Sequence, residues 1–262
     1  MPRFAANLST LYPEHPLADR AAAAARDGFA AVEVQSPYAV DAAEFRRALD
    51  DARVQLVLMN APQGDHDAGE RGLAALPGRE KEFEASIEQA LDYARTVRSP
   101  RLHVMAGRPS ADCAPDECLR VYLRNLAYAC DTLHPHGITV TIEPINTRDI
   151  PGYYLTRQEQ GADVIAALHK ANLGLQLDFY HLQIMEGDLA RHLERYFPLV
   201  AHVQIAGVPE RHEPDVGEIN YPYLFRLLDR LGYAGWVGCE YRPARGTVPG
   251  GTSAGLGWLR RV

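Results

Sequence analysis

Two hydrophobic periods take turns along this chain. Short runs rich in alternating or β-branched residues occur at Phe4–Asn7, Ala31–Val34, Val54–Met59, Arg101–Met105, Thr139–Glu143, Leu173–Asp178, Val200–Ile205 and Trp236–Glu240. Each has the length and pattern of a strand. Helical spacing fills the intervals. An Ala-rich segment runs from Leu17 to Asp27 with Gly28 placed to end it. Asp41 and Glu44 have capping-box spacing ahead of Phe45 and Leu49, and Thr156 with Glu159 repeats it ahead of Val164, Ile165 and Leu168. Further helical faces are spelled by Phe83, Ile87, Leu91 and Ala94, by Leu119, Leu123, Leu126, Cys130 and Leu133, by Leu189, Leu193 and Phe197, and by Leu224, Leu227, Leu228 and Leu231. Thr252 to Arg261 is expected to supply a last helix.

Eight strands alternating with helices predict an α/β fold, a (β/α)8 TIM barrel forming one domain over residues 1–262. A doubly wound sheet is the competing architecture, and no strand is followed by a Gly-rich dinucleotide fingerprint. The one long irregular stretch, residues 61–78, is of the kind that serves a site or moves.

Strand parity turns the fold into a site. Pro144 cannot join a central ladder, so the fifth strand ends on Glu143. With Glu143 facing inward, Thr141 and Thr139 do too. On the sixth strand Leu175 and Leu177 take the helix side, leaving Gln176 and Asp178 inward. The same rule puts His202 and Gln204, Gly238 and Glu240, and the strand tips Asn7, Glu33, Asn60 and His103 inside. Every strand thus brings a polar group to its C-terminal end, where barrels carry their chemistry and where an ordinary packed interior would be branched and apolar.

Glu143, Asp178 and Glu240 would bring three carboxylates together, which cannot all remain ionised in a dry cavity without a cation. With the Gln204 amide they form an all-oxygen set suited to a divalent metal ion, Mg²⁺ or Mn²⁺ rather than Zn²⁺. Such an ion would polarise a carbonyl and acidify the neighbouring C–H, and Glu143 and Glu240, three strands apart, could remove and return the proton through an enediolate. His181, past the sixth strand, is placed to donate to a substrate oxygen. Arg211 could clamp a substrate carboxylate, and His103, Asn60 and Asn7 complete the substrate-binding candidates.

Composition narrows the partners. A net charge of -7 without a basic stripe speaks against nucleic acid. No apolar run spans a bilayer and the first residues do not read as a signal peptide. Cys113, Cys118, Cys130 and Cys239 have neither zinc-finger spacing nor disulfide-scaffold density, so reduced thiols in a cytoplasmic protein are expected. A homo-oligomer is left open.

Several stretches resemble the hydroxypyruvate isomerase family of xylose-isomerase-like barrels: Arg3-Phe-Ala-Ala-Asn-Leu-Ser9, Gly69-Glu-Arg-Gly72, Leu76-Pro-Gly-Arg-Glu80, Ile142-Glu-Pro-Ile-Asn146, Gln183-Ile-Met-Glu-Gly187, His202-Val-Gln-Ile-Ala206, Gly217-Glu-Ile-Asn-Tyr221 and Gly235-Trp-Val-Gly-Cys-Glu-Tyr241. The resemblance implies a metal on Glu143, Asp178, Gln204 and Glu240, proton handling by Glu143 and Glu240, and interconversion of hydroxypyruvate with tartronate semialdehyde (2-hydroxy-3-oxopropanoate). The sister 2-oxo-tetronate isomerases are similar in the opening strand and from His202 to Tyr241. Segment 142–156 is nearer the three-carbon group and segment 202–214 nearer the four-carbon group. Ketose 3-epimerases carry His at the position of Gln204, which weighs against them. The alternative outside catalysis is a sugar-acid binding barrel that kept the metal and lost the chemistry.

Overall fold

All eight strands close into one parallel barrel in the computed structural model of the chain, which describes residues 1–261. They are β1 (Arg3–Asn7), β2 (Ala31–Val34), β3 (Gln55–Asn60), β4 (Arg101–His103), β5 (Thr139–Ile142), β6 (Leu173–Asp178), β7 (Val200–Ile205) and β8 (Trp236–Cys239). Sequence neighbours are sheet neighbours throughout, and β8 returns to pair with β1. Outside lie α1 (Leu17–Arg26), α2 (Ala42–Ala52), α3 (Glu80–Val97), α4 (Pro115–Leu133), α5 (Gln158–Leu168), α6 (Phe179–Met185), α7 (Leu189–Tyr196), α8 (Tyr221–Leu231) and α9 (Gly251–Gly255). The tail is α-helical only in α9 and continues as a 3-10 helix through Leu256–Arg260, burying Trp258 edge-on against Phe4 of β1.

Three local expectations need correction. The capping box at Thr156 and Glu159 does not form. α5 starts at Gln158, whose N–H donates to Glu186 Oε1 at 2.9 Å, while the Thr156 N–H goes to Gln160 Oε1 at 3.1 Å. A carboxylate from the next βα unit therefore caps the helix. Leu119 is 41% exposed, because the buried stripe of α4 runs instead through Cys118, Val121, Tyr122 and Asn125, with Tyr122 edge-on to Tyr154. The larger aromatic surface takes the core side. Finally, Cys113 and Cys118, expected as free thiols, are paired as a disulfide with Cα atoms 6.7 Å apart. The loop ahead of α4 turns back on the helix's first turn, a local approach that spacing rules for whole frameworks do not register. Cys130 and Cys239 are free and buried.

The barrel interior has two storeys. At the N-terminal end Ala5, Ala31 and Val57 make a small apolar floor against Trp236. Above it the inward side chains are polar and bonded to one another. Glu33 accepts from Asn7 Nδ2 at 2.9 Å and from Gln204 Nε2 at 2.8 Å, and pairs with His202 Nε2 at 2.6 Å. Thr141 donates to Gln176 Oε1 at 3.0 Å, and Gln176 Nε2 to Gln204 Oε1 at 2.7 Å. The fully buried Glu33 carboxylate fits because β8 offers Gly238 there: a Cβ on Gly238 would lie 2.2 Å from Glu33 Oε2.

On β3 simple alternation fails. Leu56 is opposite Val32, but Leu58 is opposite Glu33, so one extra residue enters the ladder. That shift lets Val57 face the floor while Asn60, three residues on, also faces inward and lines the mouth.

Candidate active site

The three expected carboxylates meet at the C-terminal mouth, each delivered by a strand end. Glu143 follows β5 and precedes Pro144, Asp178 closes β6, and Glu240 follows β8; all are buried. Asp178 doubles as the N-cap of α6, its Oδ1 accepting the Tyr180 N–H at 2.8 Å. That cap starts a helix on which His181 sits in the first turn. A cavity of about 280 Å³ opens between them, with Glu143, Glu240, His103, His181, Asn60 and Arg211 in its wall. Asn7 is not part of that wall; its amide is used below, on Glu33 and on the Ser9 N–H.

Glu240 is tightly held. Oε1 accepts from Gln35 Nε2 at 2.6 Å and Arg211 NH2 at 2.7 Å, and Oε2 accepts from Gln204 Nε2 at 2.5 Å. Glu143 is held loosely, with His103 Nδ1 at 3.7 Å and His181 Nε2 at 3.9 Å. Glu143 Oε1 and Asp178 Oδ2 are buried with no hydrogen-bond partner. His181 Nδ1 takes the Asn146 backbone N–H at 3.3 Å, so in the neutral ring the hydrogen sits on Nε2, which points toward Glu143 and Asp178. His181 thus turns an N–H toward the two carboxylates.

Burial raises Glu143, Glu240 and Asp178 alike. Glu143 is pushed well above the usual range by desolvation and then by Glu240 and Asp178. Glu240 rises to about 8, chiefly by desolvation, against the lowering effect of Arg211. Asp178 rises to about 6 by desolvation, opposed by Arg211 and the Tyr180 N–H. Burial keeps His103 neutral, down to about 3, and holds His181 well below its ordinary value. Burial alone would lower Arg211, but Glu240, Asp178 and Glu143 outweigh it and keep the guanidinium charged.

Arg211 is where the geometry departs most from expectation. Its guanidinium contacts Glu240 at 2.7 Å, Asp149 at 3.4 Å and Asp178 at 3.8 Å, and lies over the Tyr180 ring. It serves as a counter-charge for the site's own acids and offers no free fork to a substrate. Glu143, Asp178 and His181 each place one atom within 4.8 Å of the others. Two unpartnered buried carboxylate oxygens with Glu240 beside them are the donor chemistry a hard divalent cation requires. Gln204 as found turns its NH₂ toward Glu240 and gives its oxygen to Gln176.

The family model of the xylose isomerase-like TIM barrel matches residues 21–262. The chain belongs to that family. It is 56% identical to a 2-oxo-tetronate isomerase of Cupriavidus necator over 99% of this chain and 98% of that one. It is 40% identical to a hydroxypyruvate isomerase of Escherichia coli, covering 99% and 98%. A crystal structure of a family 2 AP endonuclease from Brucella melitensis superimposes with a TM-score of 0.95 at 46% identity, covering 100% of this chain and 99% of that one. The protein is an isomerase of this xylose isomerase-like family.

Within that family frame, sequence reasoning missed Gln35, Asn146 and Asp149, which hold Glu240, His181 and Arg211. Gln35 had a signal, lying two residues beyond the inward tip Glu33 on the same strand parity. Asn146 and Asp149 sit in an irregular loop where parity gives no direction.

Proposed function

We propose that this barrel isomerises a short 2-oxo-3-hydroxy acid, shifting the carbonyl from C2 to C3. The observation that carries the reading is the pair Glu143 and Glu240, two buried, proton-retaining carboxylates just past the ends of β5 and β8 that face one small cavity. A pair whose environments favour sharing protons suits one carboxylate as base and the other as acid. A proton leaves C3, one is returned to C2, and the hydroxyl proton passes from O3 to O2 through an enediolate. His181 Nε2–H is placed to steady the developing oxygen charge.

A divalent metal ion, Mg²⁺ or Mn²⁺, would be held by Glu143, Asp178, Glu240 and, after its amide turns, Gln204. Bound there it would polarise the carbonyl and acidify the adjacent C–H. The chain's own residues orient the acid, carry the protons and keep bulk water out of a mostly buried site.

We take 2-oxo-tetronate as the leading substrate and hydroxypyruvate as the second. Identity of 56% to the Cupriavidus necator isomerase against 40% to the Escherichia coli hydroxypyruvate isomerase supports that order. Proton NMR in D₂O on Mn²⁺- or Mg²⁺-loaded protein tests it, with each acid in a separate tube. Cation-dependent conversion with deuterium entering the product is expected, faster for the four-carbon acid. No conversion and no deuterium uptake in either tube would overturn the reading.

A further inference from the structure

Three arginines line the cavity: Arg71, Arg211 and Arg242. Arg211 is consumed by acids of the site, and Arg242 is exposed to solvent. Arg71 differs from both. It is half-buried, and among the described residues it enters no ion pair. Its NH1 donates to two backbone carbonyls, Glu70 at 2.6 Å and His66 at 3.2 Å. The adjacent Glu70 does not neutralise it, because that carboxylate is bound by Arg79 at 2.6 and 3.2 Å and by the Asp65 N–H. With NH1 fixed, the Nε–NH2 edge is left for a planar anion.

The backbone beside Arg71 is pinned. Gly72 (φ +114°) bridges to Ala106 beyond β4, and a Cβ there would lie 2.3 Å from Met105 O. The Gly72 N–H donates to Gln63 O at 2.9 Å and the Ala75 N–H to Ala106 O at 2.7 Å. A charged fork is thus held in place at the wall of a cavity whose acids are Glu143, Glu240 and Asp149 and whose Arg211 is already paired with two of them. With Arg211 already paired, Arg71 is the half-buried guanidinium left to attract a substrate carboxylate.

We propose that Arg71 anchors the carboxylate of the substrate, so that Gly69-Glu-Arg-Gly72 is the element that selects a 2-oxo acid over the neutral ketose of equal length. This rests on the substrate being an acid, as proposed above. A bidentate guanidinium–carboxylate contact aligns the chain of the acid so that C2 and C3, rather than the carboxylate, reach Glu143 and Glu240.

The test uses the full, Mn²⁺-loaded chain with Arg71→Met, Arg71→Lys and Arg242→Met. KM for the acid substrate should rise roughly 30-fold in Arg71→Met with a smaller change in kcat, and Arg71→Lys should recover part of it. Turnover of the neutral ketose, with CH₂OH replacing the carboxylate, should not fall. Unchanged KM in Arg71→Met, an equal loss on the neutral ketose, or the rise appearing in Arg242→Met instead would each overturn the proposal. Calorimetry with tartronate, an unreactive hydroxy acid, reads the anchor separately. Binding lost in Arg71→Met supports it, and equal binding refutes it, even if the parent protein isomerises no acid and the functional reading fails.

Discussion

Replacing Gly238 by Ala puts one methyl group where the structure has no room. Its Cβ would stand 2.2 and 2.4 Å from the two oxygens of Glu33, so one side must give way by about 1 Å. A carboxylate at the end of a free side chain would swing aside at little cost. Glu33 is not free: Asn7, Gln204 and His202 bind it, and it is fully buried. Overpacking a core costs about 1–3 kcal/mol, and loss of one hydrogen bond to a charged group about 1.5–3 kcal/mol. A total of about 3–6 kcal/mol should lower the melting temperature of a domain this size by about 10–20 °C. Thermal and urea melts of the metal-free protein measure it. A second arm isolates the cause, because in a Glu33→Ala background the added methyl should cost less than in the parent. Gly238→Ala melting within about 2 °C of the parent, or costs that simply add, would refute the packing argument.

Glu240→Gln should lower kcat by about 10²–10⁴-fold and stop deuterium uptake while the barrel still melts cooperatively; activity within threefold of the parent would remove Glu240 from the chemistry. Melts against pH probe the same cluster. Glu240, at about 8, and Glu143, well raised, hold protons in the fold that the unfolded chain releases near 4.5, so their stabilisation is complete below 4.5 and is lost as pH climbs through the folded values. His103 and His181 work oppositely, being lowered in the fold, and their contribution is complete above 6.5. From pH 6.5 to 8 only the carboxylates still titrate, so metal-free stability should fall across that window and Mn²⁺ should flatten the slope; a stability that rises there would contradict the signs. Leu119→Gln, on the exposed flank of α4, should move the melting temperature by less than about 2 °C, whereas Leu126→Ala in the buried stripe should cost about 2–5 kcal/mol by calorimetry.

Most of the barrel was legible because strand and helix periods differ and the chain keeps them apart. The strands Ala31–Val34, Leu173–Asp178 and Val200–Ile205 begin and end where their patterns do. The inward ring was legible because parity is a local rule and a Pro marks the end of β5. Asn60 faces inward only because β3 carries an extra residue, which no alternating pattern displays. α6 escaped notice because Asp178 ends a strand and caps a helix in one residue, with no turn between to announce the change. The partners of Arg211 are 29 to 62 positions away in sequence, and contacts at that separation belong to the closed barrel rather than to any segment.

The polar storey of the barrel behaves as a row of dominoes. Thr141 donates to Gln176, Gln176 to Gln204, and Gln204 to Glu33 and Glu240, so each amide takes its orientation from its neighbour. A cation that draws the Gln204 oxygen toward itself turns that NH₂ onto Gln176, which must then present its own oxygen and hand its NH₂ to Thr141. The hydroxyl of Thr141 changes from donor to acceptor. Affinity for such an ion would therefore be set in part by a threonine two strands away that never touches it, and by how readily two hydrogen bonds reverse together.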